Sequence, residues 1–258
     1  SQPHEPMPQS YSNHAMPTSL VEEIPVAIVV NGISFAVMLA SPFDIEDFVI
    51  GFLHSESVIK HNHDIHEIET EDQDDAKIVK ITIANRCLNA LNLKKRALKG
   101  ATGCGLCGIQ ALAMAFPKLT PLNPHKPMAL SKTLYLKHQL RDWQQRGRES
   151  GALHAAFWID AEGRIQHCRE DIGRHNALDK VIGLLLRNQR ETTGGSLLVT
   201  SRCSVELVQK TLLMGIENLI SLASPSRLAV KMARQYGLTL IHIPKQDAPY
   251  YLAGGQCA

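Results

Sequence analysis

Beyond Gly151 the chain alternates apolar, strand-like runs with helix-like ones: GALHAAFWID, GRIQHCRE, then NALDKVIGLLLRN, SLLVTS, SVELVQKTLLMG, NLISLAS, SRLAVKMARQYG and LTLIHI. Strands joined by helix-length connections pair in parallel, with the helices laid over the faces of the sheet. The rhythm therefore predicts an α/β layer with a mostly parallel central sheet. Gly237 reads as the C-cap of the helix that precedes the last strand. Three junctions in this region are polar and carry arginine: Glu170-Asp171-Ile172-Gly173-Arg174-His175, Thr200-Ser201-Arg202-Cys203-Ser204 and Ser224-Pro225-Ser226-Arg227. Turns at the ends of successive strands are where open α/β sheets bind ligands, and helix starts at such turns favour anions. Together they suggest one pocket for a phosphorylated ligand, with Arg174 and Lys180 adding positive charge at the first turn and Glu206 and Lys210 following on the helix after the second.

The N-terminal half has a different rhythm. Two β-rich runs, residues 22–30 and 33–40, flank Asn31-Gly32, a dipeptide suited to a type I′ turn. Ser41-Pro42 reads as an N-cap with proline at the first helical position, and apolar spacing then carries a helix to about His54. From Asp64 to Asp75 seven of twelve residues are acidic, which reads as a solvated loop rather than a metal site despite His61, His63 and His66. KIVKITIA follows as a strand. Pro117, Pro121, Pro124 and Pro127 mark a linker at residues 117–130. The expected organisation is a disordered tail at 1–18, a small α+β domain at 19–116, the linker, and an α/β domain at 131–258.

Composition removes several function classes. The 258 residues carry 27 Lys and Arg against 25 Asp and Glu, a net charge of +2 that gives no general reason to bind nucleic acid. No apolar run approaches the roughly 20 residues needed to span a bilayer, and no secretory leader is evident, so a cytoplasmic protein without a membrane partner is expected. Six cysteines, at 87, 104, 107, 168, 203 and 257, are too sparse for a disulfide scaffold.

Cys104-Gly-Leu-Cys107, set among Gly103, Gly105 and Gly108, has three chemical readings. Structural zinc needs further ligands, and only Cys87 or His154 could complete the set. A thioredoxin-like dithiol shares the spacing but lacks the surrounding βαβ context. Sulfur carriage needs an exposed thiolate able to reach two partners, with the basic run Lys94, Lys95, Arg96 and Lys99 favouring the anion and a second thiol to resolve a persulfide. Gly151-Ala-Leu-His154-Ala-Ala156 has the histidine of a zinc deaminase motif, but Ala156 stands where the proton-shuttling glutamate belongs, so deamination is rejected.

The ordered set EEIPVAIVVNG, GFLHSESVI, TGCGLCG, SGALHAAFW, EDIGRHNALDKVIG, TSRCSVELVQK and LAVKMARQYGLTLIHI resembles the accessory sulfurtransferase family of formate dehydrogenase. The resemblance spans about residues 20–250. It implies a homodimer that takes persulfide sulfur from a cysteine desulfurase. That sulfur passes to the bis-molybdopterin guanine dinucleotide cofactor, of molybdenum or tungsten, destined for apo-formate dehydrogenase. It implies a cytidine-deaminase-like three-layer α/β/α C-terminal domain without zinc, hence no structural metal. Carried onto this chain, Cys104 is the persulfide carrier and Cys107 its neighbour. The cofactor-binding segment falls on Ile241, His242, Ile243, Pro244, Lys245 and Gln246. Guanine nucleotide contacts, which GDP or GTP would mimic, fall on Gly173, Arg174, His175, Ser201, Arg202 and Lys210.

Overall fold

The computed structural model describes residues 20–100 and 117–255, without the side chains of 97–100 and 148–150. The expected tail at 1–18, the CxxC pair and the helix-like run after it lie outside the described residues, as does Cys257. Among the described residues, two sheets and seven helices form an α+β fold.

The first sheet has the order β2-β1-β4-β3. β1 (Ile24–Val30) and β2 (Ile33–Ala40) form the expected hairpin, with Asn31 and Gly32 both at positive φ as a type I′ turn requires. β1 also pairs in parallel with β4 (Ala76–Ile83). The acidic stretch is a strand, β3 (Ile65–Gln73), and not the loop its composition suggests. The reason is cross-strand: it runs antiparallel to β4, and Lys77 and Lys80 pair with Asp72 and Glu71 at 2.6 and 2.9 Å. Val26, Ile28 and Val30 alternate into a core shared with α1 (Ile45–Ser55), whose Phe48, Val49 and Leu53 are fully buried.

α1 starts three residues later than the Ser-Pro signal indicates, with Asp44 at its N-cap. Ser41 is engaged elsewhere. Its amide donates to Asp171 at 2.9 Å and its hydroxyl accepts from the Ile172 amide at 2.8 Å, so a long-range contact overrides the local cap. α2 (Leu88–Gly100) follows β4.

The second sheet has the order β10-β9-β8-β7-β5-β6. β7 (Ser196–Val199), β8 (Asn218–Ser221) and β9 (Thr239–His242) are parallel, joined by α6 (Val205–Leu213) and α7 (Arg227–Tyr236). The expectation of a mostly parallel sheet needs correction, since three of its five pairings are antiparallel. β5 (His154–Ile159) and β6 (Ile165–Asp171) are joined by a turn too short for a crossover, and β10 (Tyr250–Ala253), which sequence reasoning missed, folds back on β9. Alternate residues of the strands face opposite layers. Trp158, Leu197, Leu219 and Leu240 meet α5 (Arg174–Arg187), α6 and α7, while Phe157, Leu198, Ile220 and Ile241 meet α3 (Leu136–Trp143) and Met128. A short helix, α4 (Gln145–Ser150), leads into β5.

The proline-rich segment is docked along this sheet. The Leu122 amide donates to Tyr236 O, the Met128 amide to Asn218 Oδ1 and Tyr251 Oη to Met128 O, at 2.8–2.9 Å. The two halves also meet directly, α1 lying against α5. A Cβ on Gly51 would fall 1.7 Å from Asp179 O, and one on Gly183 1.8 Å from Asp47 O, so the two backbones approach as only glycines allow. No described helix is long and apolar enough to cross a membrane.

Candidate functional site

The register of the second sheet gathers the polar junctions on one edge. His154 pairs with Asp171, and Ala156 with Val199, so the start of β5, the end of β6 and the ends of β7, β8 and β9 lie together. This brings the three arginine-bearing turns and residues 243–246 to a common rim. Arg174 is the first residue of α5, after Gly173 at its N-cap. Its Nε is shielded from water and has no hydrogen-bond partner, and the same holds for Ser204 Oγ at the start of α6. Burial, and then the charge of Arg174, hold the His154 imidazole below its usual pKa, which keeps it neutral beside the cation. Arg202, Arg227, Lys245 and Gln246 are exposed. Ser201 is buried, and the Ser226 amide donates to Cys203 O at 3.0 Å, tying two of the turns together.

Some residues singled out by sequence have other tasks. The Gly173 amide is taken by Asp171 Oδ2 at 2.7 Å, so it is not a free anion donor. Ile241 and Ile243 belong to the core, and His242 is buried with Nδ1 3.0 Å from Ser221 O. Pro244 O accepts from Lys137 Nζ. Within that segment only Lys245 and Gln246 present free side chains to solvent.

A cleft of about 490 Å³ lies between the halves, lined by α1, α2, α5 and α6. Its walls are ion pairs. Lys210 donates to both oxygens of Asp179 at 2.8 and 2.9 Å, and Ser55 Oγ adds a bond of 2.6 Å to the same buried carboxylate. Lys94 pairs with Glu56 at 2.6 Å, and His175 contacts Glu206. α2, which ends at Gly100, supplies Lys94 to the cleft, and Pro117 also lines it. Cys104 and Cys107 lie in the interval, outside the described residues. Ser55 and Glu56 carry no local sign of this role in the sequence, because their partners Asp179 and Lys94 are brought to them only by folding.

Cys87 and Cys203 are buried and Cys168 half-buried. Burial pushes Cys168 and Cys203 up to about 12, so neither is a thiolate at neutral pH. Among the described residues no group of three or more His, Cys, Asp or Glu is placed to hold a metal.

Comparison with known proteins adds four findings. A model of the FdhD/NarQ family matches residues 21–255. The sulfur carrier protein FdhD of Bordetella petrii is 40% identical over 233 residues, covering 90% of this chain and 84% of that one. Its namesake in Cupriavidus necator is 40% identical over 226 residues, covering 87% and 78%. A crystal structure described as a formate dehydrogenase accessory protein of Desulfotalea psychrophila aligns with a TM-score of 0.66. That match has 23% identity and covers 90% of this chain and 87% of that one, a likeness of fold.

Proposed function

This chain belongs to the FdhD/NarQ family, and from that premise we propose that it is a sulfur carrier in formate dehydrogenase maturation, with Cys104 holding the sulfur as a persulfide. The supporting observation is the inertness of the three described cysteines, set against a CxxC pair whose flanks, Lys94 and Pro117, border the cleft between the halves.

The chemistry balances in two displacements. The Cys104 thiolate attacks the outer sulfur of a donor persulfide on a cysteine desulfurase; the donor's S–S bond breaks, Cys104 gains the sulfane sulfur, and the donor leaves as thiolate. Attack by the Cys107 thiolate on the Cys104 sulfur then expels the outer sulfur as hydrosulfide, and the resulting disulfide is reopened by a dithiol reductant. The acceptor is the bis-molybdopterin guanine dinucleotide of molybdenum or tungsten, here a substrate. Its nucleotide phosphates suit the strand-end rim, where Arg174, Arg202 and Lys245 supply charge, with Gly173, His175, Ser201 and Gln246 beside them. Lys210 would have to share its ammonium with Asp179. In this reading the C-terminal half is a deaminase-like three-layer domain whose metal chemistry is lost, and the working form is a cytoplasmic homodimer that meets the desulfurase and the apo-enzyme in turn.

The decisive experiment loads the protein with a cysteine desulfurase and cysteine and reads peptide masses. A sulfane adduct on Cys104, absent in Cys104→Ser together with dehydrogenase activation, supports the assignment. Activation by Cys104→Ser at the normal level would leave a cofactor-holding chaperone instead. Calorimetry with GDP tests the rim, and unchanged affinity in Arg174→Ala removes Arg174 from it.

A further inference from the structure

Val37 and Leu39 leave their side chains in water, 69% and 54% exposed, although both lie within a β-strand. They belong to β2, an edge of the first sheet that pairs only with β1. Edge strands offer a row of unpaired backbone groups, and soluble proteins guard them with charge. The opposite edge, β3, is guarded in that way by Glu67, Glu69, Glu71 and Asp72, whereas β2 reads ISFAVMLA without a charged residue. Leu39 O marks the open side of β2. It accepts from Asn176 Nδ2 at 2.8 Å, and its opposite number on β1 is Pro25, which has no amide to give. Residues two apart on a strand turn their backbone groups to the same side, so the Val37 amide and carbonyl face outward as well. Neither has a partner among the described residues.

That edge borders the cleft between the halves. Met38, between those two residues, points to the other face and lines the cleft with Phe52 and Pro117. Much of the remaining lining comes from α5 and α6, which are held side by side by two bridges, His175 to Glu206 and Asp179 to Lys210, four residues apart on each helix. Gln209, one position before Lys210, lines the same cleft. It is 7% exposed, and its side-chain amide has no hydrogen-bond partner among the described residues, yet it is open to the cleft and not sealed from it. A largely buried amide gains by pairing with any group that enters. The charges around it are already paired, since Lys94, Lys210 and His175 each meet a carboxylate. An occupant is therefore neutral where it touches these walls. A peptide main chain, with an N–H and a C=O at each residue, matches both Gln209 and the open edge of β2.

We propose that β2 and this cleft dock an extended, uncharged segment of the protein that donates sulfur, the segment that carries its persulfide cysteine. It adds to the sheet beside β2. Side chains alternate along it: those on the outer face cover Val37 and Leu39, and those on the inner face enter the cleft beside Met38 and Phe52, where Gln209 bonds to the main chain. Asn176, already on Leu39 O, ends the pairing. The donor cysteine then yields its outer sulfur to the Cys104 thiolate and leaves as a thiolate. This inference rests on the sulfur-carrier reading and adds to it how a protein donor is told from a small persulfide.

Loading of Cys104, followed by peptide mass in the full chain, tests it with two donors: a cysteine desulfurase supplied with cysteine, and glutathione persulfide. Val37→Pro removes an outward amide that no neighbour uses, a change edge strands tolerate, and Gln209→Leu removes the side-chain amide at similar size. Each should slow loading from the protein donor by about tenfold or more, while loading from glutathione persulfide keeps the wild-type rate. In the wild type, the Val37 amide should gain protection from hydrogen exchange when the donor protein is added. Loading that is indifferent to both substitutions, or slowed equally with both donors, overturns the proposal. So does protection of Val37 that rises with the concentration of this chain alone, which would place a second copy on the edge. A wild-type chain that takes sulfur from neither donor overturns the carrier reading itself, and this proposal with it.

Discussion

Asp179 has a carboxylate that is 1% exposed yet receives Lys210 twice and Ser55 once. Burial raises its pKa against the pull of Lys210, which marks a charge that depends on its partner. Lys210→Met should therefore cost about 3–5 kcal/mol in urea unfolding, and Asp179→Leu combined with it should recover much of that loss. His54 sets a pH dependence. Its folded pKa of about 4 lies below the unfolded 6.5, so between those values the unfolded chain binds more protons and stability falls as pH drops. The loss should total about 3 kcal/mol by pH 4 and be largely absent from His54→Gln. His154 and His167, also lowered by burial, leave a smaller slope of the same sign. Thiol chemistry separates as cleanly: iodoacetamide at pH 8 should spare Cys168 and Cys203 in the native protein and label them only in denaturant. Labelling of either under native conditions would contradict the raised pKa that keeps both thiols protonated.

At the scale of elements, the crossing of α1 on α5 rests on two glycines. Gly51→Ala or Gly183→Ala places a methyl group on a carbonyl oxygen of the facing helix, and the helices must part. Each change should destabilise by about 3 kcal/mol or more, although alanine is the better helix former by about 1 kcal/mol. A rise in melting temperature in either variant would mean that the close approach is not needed. The crossing is braced by Asp47, which accepts from Arg169 at 3.1 Å and from Arg187 at 2.9 Å. Here the sequence spoke only of periodicity. The hairpin at Asn31-Gly32 and the helices of the second half were legible because turn chemistry and amphipathic spacing act locally. β3 was not, since its acidic residues are stabilised by lysines on a neighbouring strand.

Across the whole molecule, the halves are joined by a buried cluster. Lys180, 0% exposed, pairs with Asp171 at 2.9 Å and donates to Glu170 O at 3.0 Å, while Asp171 accepts the Ser41 amide. The Phe43 ring packs against the Lys180 ammonium, 4.3 Å from its centroid. A fragment of residues 131–258 would expose that pair and the face of α5 that α1 covers. It should fail to fold on its own, giving a poorly dispersed amide spectrum, whereas the full chain should unfold in one transition. What the sequence determined alone was local or motif-borne: the hairpin, the strand–helix rhythm of the second half, the arginine-bearing turns, and the CxxC and EDIGRHNALDK runs that carry the family. What only tertiary structure decided was which side chains remain available. Ser41 is drawn from its cap by Asp171 and Ser55 is bound to Asp179, each across more than a hundred positions, while Lys210 is claimed by Asp179 from the neighbouring helix, because folding brings together side chains that local spacing does not relate.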